Sequence, residues 1–217
     1  MKAAALVFLL APALFATTPR LIYSRSFPGS SPEFFRVTIS QIGALEYSES
    51  PVDDKPLKAQ LSPSETAPLF EMADKLDRFK TPLESGLKVA NTGKKTFRYE
   101  DGNGGNSEAV FNYSIDPTAQ HLLEKMEQIA ATERSYLSLD SSIRFDKLGV
   151  NDSLAEIESL WLRKQLAAPS QFIPLLDRVI SHPSFMHIAR DRAARLKDEF
   201  SKPVIAPANE SRQNAEN

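Results

Sequence analysis

The chain contains three histidines and no cysteine, so imidazoles are its main candidates for metal or acid–base chemistry. His187 and Asp191 stand four residues apart on a predicted helix and therefore share a face. His182 lies one turn upstream, across Pro183. Two imidazoles and a carboxylate can bind zinc or iron, but zinc helices place two histidines four residues apart with a glutamate between them. We therefore predict capping or solvent-exposed roles for these side chains. His121 lies near a helix start without a catalytic partner close in sequence.

Two further motifs could do chemistry. Gly29-Ser30-Ser31 lacks the second glycine of a nucleophile elbow, although a serine–histidine–acid triad can also be assembled from distant positions. Asp101–Asn106 reads DGNGGN, but it lacks the Lys-Ser/Thr pair of a phosphate loop, and a strand follows it instead of a helix. We predict a flexible hairpin tip there.

The remaining charged and aromatic candidates indicate surface and core roles. The carboxylate pairs Asp53-Asp54 and Asp74/Asp77 lack the aromatic neighbours of a sugar-binding cleft. Trp161, the single tryptophan, is predicted in the core, with an exposed partner anchor as the alternative. The last helix carries a basic sector offset by neighbouring acids, which is typical of a salt-bridged exposed face (Arg190, Arg192, Arg195, Lys197). We predict no catalytic, cofactor-binding or metal-binding residue and no cofactor.

Residues 1–16 have the layout of a secretory signal peptide. Lys2 supplies a positive charge, and the run from Ala3 to Phe15 is apolar. This run is shorter than the roughly 20 apolar residues that cross a bilayer. Cleavage after Ala16 or after Ala13 fits the preference for small residues, and a buried N-terminal strand or helix is the alternative. We predict export to the periplasm or beyond, and no lipoprotein, because a lipid-bearing cysteine is missing.

Composition predicts a folded protein without nucleic-acid partners. Removing 16 of 217 residues leaves 201, enough for one large domain or a domain with an appendage. Without Lys2, 25 basic residues face 28 acidic ones, a net charge of −3 that lacks the basic excess of nucleic-acid binders. No second segment is long and apolar enough to span a membrane. The absence of cysteine also excludes disulfides, so packing must stabilise the fold.

Strand patterns dominate the first half. Residues 20–27 form a short β-prone segment. Apolar and polar residues alternate within 33–49 and over 57–61, and Gly43 breaks the 33–49 stretch into a hairpin. A second hairpin is predicted from strands at 95–100 and 108–115. Between the hairpins, Ser62-Pro63-Ser64-Glu65 has the form of a capping box. Pro68 would then lie inside the helix, so we predict a turn at 62–65 and a helix from Thr66.

From Asp116 onward the apolar period is helical. A helix is predicted to about residue 135, followed by a looser segment to Val150. Three more helices follow, the first capped by Asn151 and Asp152, the second starting at Pro169-Ser170. The last carries Phe185, Ile188, Ala189, Arg192, Leu196 and Phe200.

These elements predict an α+β fold in which an antiparallel sheet of about six strands packs with two helices, followed by a C-terminal segment of three helices. The predicted organisation is a signal peptide over 1–16, an α+β domain over 20–140, a helical segment over 150–201 and a disordered tail over 202–217. Docking of the last helices on the sheet and a separate small bundle both remain open, as does independent folding of residues 150–200.

Residues 22–48 carry a further pattern: Ile22-x-x-Arg25, the loop Gly29-Ser30-Ser31-Pro32, Phe34, Val37-x-Ile39 and Gly43-x-x-x-Tyr47. This pattern resembles an uncharacterised family of exported bacterial domains that has two cysteines around its loop, a strand hairpin and then a Ser-Pro-capped helix. The resemblance covers about residues 20–135. Phe27 and Ser31 stand where the family's cysteines would be. The resemblance implies a fold and export, and no activity.

We expect an exported protein that acts by binding, without catalysis, and whose partner is another envelope protein or a peptide. The alternative is a hydrolase-type enzyme whose site forms only in three dimensions. A deep pocket holding His182, His187 and Asp191, or a serine within hydrogen-bond reach of a histidine, would favour the enzyme. A flat apolar patch around Trp161 would favour binding.

Overall fold

A computed structural model describes residues 18–202, so the predicted signal peptide and most of the predicted tail lie outside the described residues. One six-stranded antiparallel sheet forms the first half, in the order β4-β3-β2-β1-β5-β6. Its strands are β1 (Arg20–Ser26), β2 (Phe34–Ser40), β3 (Ala44–Ser48), β4 (Leu57–Gln60), β5 (Lys94–Glu100) and β6 (Asn106–Phe111). The predicted sheet is confirmed.

Five α-helices and two short 3-10 turns complete the part of the chain that the structure describes. The helices are α1 (Pro63–Lys75), α2 (Pro117–Phe145), α3 (Val150–Leu162), α4 (Ile173–Ser181) and α5 (His187–Phe200). The 3-10 turns cover Asp77–Phe79 and Pro169–Phe172. The α+β class, with two helices beside the sheet and three after it, is therefore as predicted. No helix within residues 18–202 combines the length and apolarity needed to cross a bilayer.

The β2–β3 hairpin turns at Gly43, where a side chain could not fit. Gly43 has a φ of +84°, and a Cβ at this position would lie 2.4 Å from the Leu61 carbonyl oxygen. The close approach allows the Leu61 amide to donate to the Gly43 carbonyl at 2.9 Å. Glycine therefore serves both the turn and the docking of the chain that leads into α1.

Alternation along the strands places their apolar residues on one face, under α1 and the first half of α2. A chain of aromatic rings fills this inner face. Phe97 lies at its centre, with ring centroids 5.4 Å from Tyr23, 5.2 Å from Phe79 and 5.3 Å from Phe111. All four rings are buried. Offset and tilted aromatic contacts of this kind add to the stabilisation from area burial.

Helix α1 begins earlier than we predicted. Its cap is the Ser62 capping box, in which the Ser62 hydroxyl accepts from the Glu65 amide at 3.3 Å and the Glu65 carboxylate accepts from the Ser62 amide at 2.8 Å. The predicted start near Thr66 is therefore wrong. Pro68 lies inside the helix, where it removes one amide donor. The two cap bonds, with Pro63 at the first helical position, offset that loss.

Helix α2 also differs from the prediction, because it runs unbroken to Phe145 instead of loosening after residue 135. Its N-terminal half packs under the sheet through residues such as Leu122 and Met126, whereas Leu139 and Ile143 belong to a second core. The apolar stripe changes partners halfway along the helix, which explains why its sequence pattern weakens there.

The second core lies among α2, α3, α4 and α5. Its buried side chains are mainly aliphatic, with Phe172, Phe185 and Phe200 among them. Helix α3 starts at Val150, so the predicted caps Asn151 and Asp152 lie in its first turn. Helix α5 starts at His187, after the buried Phe185, and Ile188 faces solvent instead of joining the predicted stripe.

The second hairpin is shorter than predicted. Strand β6 ends at Phe111, and Tyr113 and Ile115 are exposed instead of lying on the buried face. Asn112 ends the strand, because its backbone amide donates to Glu84 at 2.6 Å and its side-chain amide donates to the Ala90 carbonyl at 3.0 Å. The chain thus pairs with the 81–93 connection and no longer with β5.

Candidate functional site

We call the sheet with α1 and the first half of α2 the sheet half, and the rest of α2 with α3, α4 and α5 the helical half. His182 and His187, predicted to be surface groups, lie on the surface of the helical half. The Ser184 hydroxyl is 2.7 Å from His182 Nδ1, so a serine does lie within hydrogen-bond reach of a histidine. Both side chains are exposed, and the Ser184 amide also points at the same nitrogen, at 3.3 Å. The His182 ring forms hydrogen bonds only with Ser184 among residues 18–202. This contact therefore closes a tight turn before α5 and lacks the acid and the enclosed cavity of a triad.

The other histidines lie beside carboxylates on the protein surface. His187 Nδ1 lies 2.6 Å from Asp191 on successive turns of α5, and His121 lies 3.7 Å from Glu124 on α2. His182 joins neither pair. Within the described part of the chain, no three His, Asp or Glu side chains are grouped as a metal site would need.

The predicted acid pairs and the hairpin tip have structural partners. Asp53 accepts from the Lys55 amide at 2.9 Å, and this bond is the main reason that its pKa is lowered. Asp74 binds Arg78 at 2.7 Å within α1 and the turn that follows it. In the tip, Asp101 accepts from the amides of Asn103 at 2.7 Å and Gly105 at 2.9 Å. Those amides are consequently occupied and do not face a ligand.

Trp161 belongs to the helical core. Its ring is half-buried and packs edge-on against Phe200, with centroids 5.2 Å apart. The core role predicted for it fits this contact better than the exposed anchor that was its alternative.

Three buried ionisable groups were not singled out from the sequence. Lys95 donates to Thr92 Oγ1 and to the Asn112 carbonyl, both at 2.8 Å. Burial lowers the pKa of Lys95, but three acceptors, including the Gly93 carbonyl, hold the ammonium in place. This lysine therefore anchors the loop around it and is not a free nucleophile.

The second group is the phenol of Tyr23, which donates to Glu127 at 2.6 Å. Arg25 donates to the same carboxylate at 3.1 Å. Burial is the main cause of the raised pKa of Tyr23, and the negative charge of Glu127 adds to it. The arrangement joins β1 to α2 and keeps the phenol protonated.

The third group, Glu133, lies where the sheet half meets the helical half. Its carboxylate accepts from Gln171 Nε2 at 3.0 Å, and its second oxygen has no partner among residues 18–202. Desolvation raises the pKa of Glu133 to about 7. Within the described part of the chain no cation lies within ion-pair distance of this carboxylate, so its charge is costly in the folded state.

A concavity lies on the face of the sheet opposite α1 and α2, which we call the outer face. It encloses about 490 Å³. The side chains on its floor are mostly short, and several carry hydroxyl groups. Ser24 lies opposite Arg36 of β2 and opposite Thr96 of β5 in the strand register. In the next row, Ile22 lies between Thr38 and Arg98. No described helix packs against this face.

The three central strands of the outer face carry an excess of positive charge. Arg20 and Arg98 share one carboxylate, Glu100, at 2.5 Å and 3.0 Å. Arg36 has no carboxylate within ion-pair distance among the described residues, and its guanidinium donates only to the Pro51 carbonyl, at 3.3 Å. Three further carboxylates line the same concavity. Glu46 lies 3.8 Å from Lys58, and Glu108, on edge strand β6, lies opposite Arg98. Asp53 is in the 49–56 loop, and the charge of Arg36 is a minor cause of its lowered pKa.

Sequence reasoning did not find the outer face. The alternation of β2 already showed Arg36, Thr38 and Ser40 on one side of the strand. Which strands lie beside it depends on the order of strands in the sheet, and whether a helix of residues 18–202 covers this side depends on how the helices pack.

Comparison with family models and with curated proteins found no relative of this chain. No family model matches the sequence, and no curated protein matches it either. The resemblance to exported bacterial domains therefore stays a prediction.

Proposed function

We propose that this chain is an exported, non-enzymatic binding module of the cell envelope, whose outer face binds an extended acidic segment of a partner protein. The single observation that supports this proposal most is Arg36, a partly buried guanidinium without a carboxylate partner among the described residues, in the middle of a concave sheet face. An arginine fork of this kind suits a carboxylate, which it can bind through two parallel hydrogen bonds.

The floor of the outer face suits a peptide backbone. Ser24, Thr38 and Thr96 are short, so an extended chain can approach the sheet closely. Their hydroxyls can both donate and accept hydrogen bonds, as a peptide main chain requires. Arg20 and Arg98 lie beside this floor and provide further donors, because two guanidinium groups share one Glu100 carboxylate.

Selection from a displayed library of random ten-residue peptides tests the binding function. We expect enrichment of peptides with a fixed Asp or Glu, and loss of that preference in Arg36→Glu. The variant should instead favour Lys or Arg at the same position, because the central charge is reversed. Arg163→Glu, an exposed charge reversal at the end of α3, is the matched control and should select as wild type does. Equal selection by both variants would contradict the proposal.

Export is tested separately. The mature protein should be recovered from the envelope fraction with Thr17 or Leu14 as its first residue, after cleavage behind Ala16 or Ala13. A native protein that retains Met1 inside the cell would refute export without touching the peptide result.

A hydrolase is the second candidate, supported by one contact, Ser184 with His182. Ser184→Ala should abolish turnover of a short-chain nitrophenyl ester if this pair is catalytic, whereas Ser201→Ala should not. Under the binding proposal, neither variant changes the background rate.

A further inference from the structure

A second concavity lies on the opposite side of the molecule from the outer face, between α1, the first half of α2 and residues 164–168. We call it the junction groove, and its volume is about 320 Å³. The floor is apolar and buried, formed by Leu61, Leu69, Met72 and Ile129. Such a floor favours ligands with an apolar body.

The rim of the junction groove is cationic. Lys125 and Lys164 line it, together with His121. The only hydrogen bond that Lys125 Nζ donates among residues 18–202 goes to the Gln128 amide oxygen, at 3.4 Å. Within the same residues, neither lysine has a carboxylate within ion-pair distance. Glu65 is the single carboxylate among the lining residues. It is already engaged, because it accepts from the Ser62 amide at 2.8 Å and from the Ala168 amide at 2.8 Å.

The wall formed by residues 164–168 is held in an uncommon conformation. Lys164 has a φ of +57° and Ala168 has a φ of +40°, both in the left-handed region that costs non-glycine residues energy. Glu65 holds the Ala168 amide, and Thr132 Oγ1 accepts from the Ala167 amide at 3.1 Å. The wall is therefore set in place from both α1 and α2 before any ligand arrives.

We infer that the junction groove binds a small amphipathic carboxylate, an aliphatic chain that ends in a carboxyl group. The chain would lie over the buried floor, and the carboxylate would be bound by Lys125 and Lys164. The volume lies at the lower end of the range of small-molecule sites, about 300–1,000 Å³. A protein partner would need a far larger contact surface, on the order of 800 Å² on each side. This inference is independent of peptide binding on the outer face.

Calorimetric titration with decanoate, below its micellar concentration, tests the inference on the full mature chain. We expect saturable binding to one site, about tenfold weaker after Lys125→Gln and again after Lys164→Gln, because each change removes a charge-assisted contact. Lys147→Gln, in the exposed α2–α3 turn, is the matched control and should bind as wild type does. Decanol keeps the chain but lacks the charge, and butyrate keeps the charge but lacks the chain; both should bind at least tenfold more weakly.

Amide chemical shifts in the NMR spectrum locate the ligand. Decanoate should shift amides of α1, α2 and residues 164–168 and leave those of β1, β2 and β5 unchanged. Lys164→Gly provides a variant that folds readily, because glycine accepts the positive φ while the cation is removed. Equal affinity for decanol and decanoate, unchanged affinity in the lysine variants, or shifts confined to the outer face or the helical core would each overturn the inference. Arg36→Glu should not alter decanoate binding, so failure here and failure of the peptide proposal can be told apart.

Discussion

The sheet half and the helical half of this molecule are stabilised differently, and polar groups join them. The sheet half buries a continuous set of aromatic rings around Phe97, whereas the helical half buries mainly aliphatic side chains around Phe172. Between them, Gln171 donates to Glu133, and the Ala167 and Ala168 amides donate to Thr132 and Glu65. We therefore expect that substitution of a single polar residue can weaken or strengthen the contact between the two halves without removing any side chain from either core.

The two halves also differ in what they offer to ligands. The outer face belongs entirely to the sheet half, and the junction groove draws on α1, α2 and the 164–168 segment. The helical half presents exposed ion pairs and several exposed apolar side chains, Phe145 and Leu148 among them. The helical half therefore offers no ligand surface of its own in these proposals. The 164–168 segment, which follows α3, completes the junction groove.

The largest expected effect comes from emptying either core. Phe97→Ala should lower the free energy of unfolding by about 3–5 kcal/mol, because it removes a fully buried ring and leaves a cavity. Phe172→Ala should cost a similar amount. Because α2 contributes to both cores, urea denaturation followed by circular dichroism should show one transition for each variant. Phe145→Ala, which removes an 84% exposed side chain, is the control and should change stability little. Two separate transitions in Phe172→Ala would contradict this expectation, because they would show that the two halves unfold independently.

Glu133, where the two halves meet, should make the free energy of unfolding depend on pH. The folded-state pKa of Glu133 is raised to about 7 from an ordinary value of 4.5. Between these values the folded chain holds a proton that the unfolded chain has released, so the free energy of unfolding falls as pH rises from about 4.5 to 7. Glu133→Gln removes this loss and should be more stable than wild type at pH 8, by on the order of 3 kcal/mol at most.

Urea midpoints at pH 4 and pH 8 measure this effect. The advantage of Glu133→Gln should disappear at pH 4, where the wild-type carboxyl is protonated. Glu124→Gln, on the exposed side of α2, is the control and should follow wild type at both pH values. An advantage of Glu133→Gln that does not change with pH would show that the junction carboxylate is not the titrating group.

The smallest expected effect is a gain in stability. Lys164→Gly should raise the free energy of unfolding by roughly 0.5–1 kcal/mol, because glycine adopts the φ of +57° without a side-chain clash. Lys164→Ala, which removes the same charge but keeps a Cβ, separates backbone strain from charge and should show no gain. Thermal unfolding measures both variants, and an equal gain in the alanine and glycine variants would mean that loss of the charge, and not relief of backbone strain, is responsible.

Local pattern predicted much of the fold for clear physical reasons. The alternation of Phe35, Val37 and Ile39 with polar residues predicted β2, because side chains alternate across a strand. The start of α1 was mispredicted because the interior position of Pro68 was weighted above the capping box at Ser62. The second half of α2 was missed because Leu139 and Ile143 face a different core from Leu122 and Met126.

The candidate surfaces could not be derived in the same way. Arg36 and Arg98 are 62 positions apart in number but belong to strands on either side of β1. Lys125 and Lys164 lie on different elements, and only the packing of residues 164–168 against α1 and α2 brings them to one groove. The exposed Ser184–His182 contact is local, yet only the three-dimensional arrangement of residues 18–202 showed that no described acid and no enclosed cavity accompany it.

The amino-acid sequence by itself determined the α+β class, the strands that alternate and the helices that follow them, because these depend on contacts between residues close along the chain. It also determined the absence of thiol chemistry, since the chain has no cysteine. The tertiary structure alone decided three features of residues 18–202: the sheet face that no described helix covers, the burial of Glu133 without a described cation beside it, and the place where Lys125 and Lys164 meet an apolar floor. Those outcomes depend on long-range packing and desolvation, which no local pattern encodes.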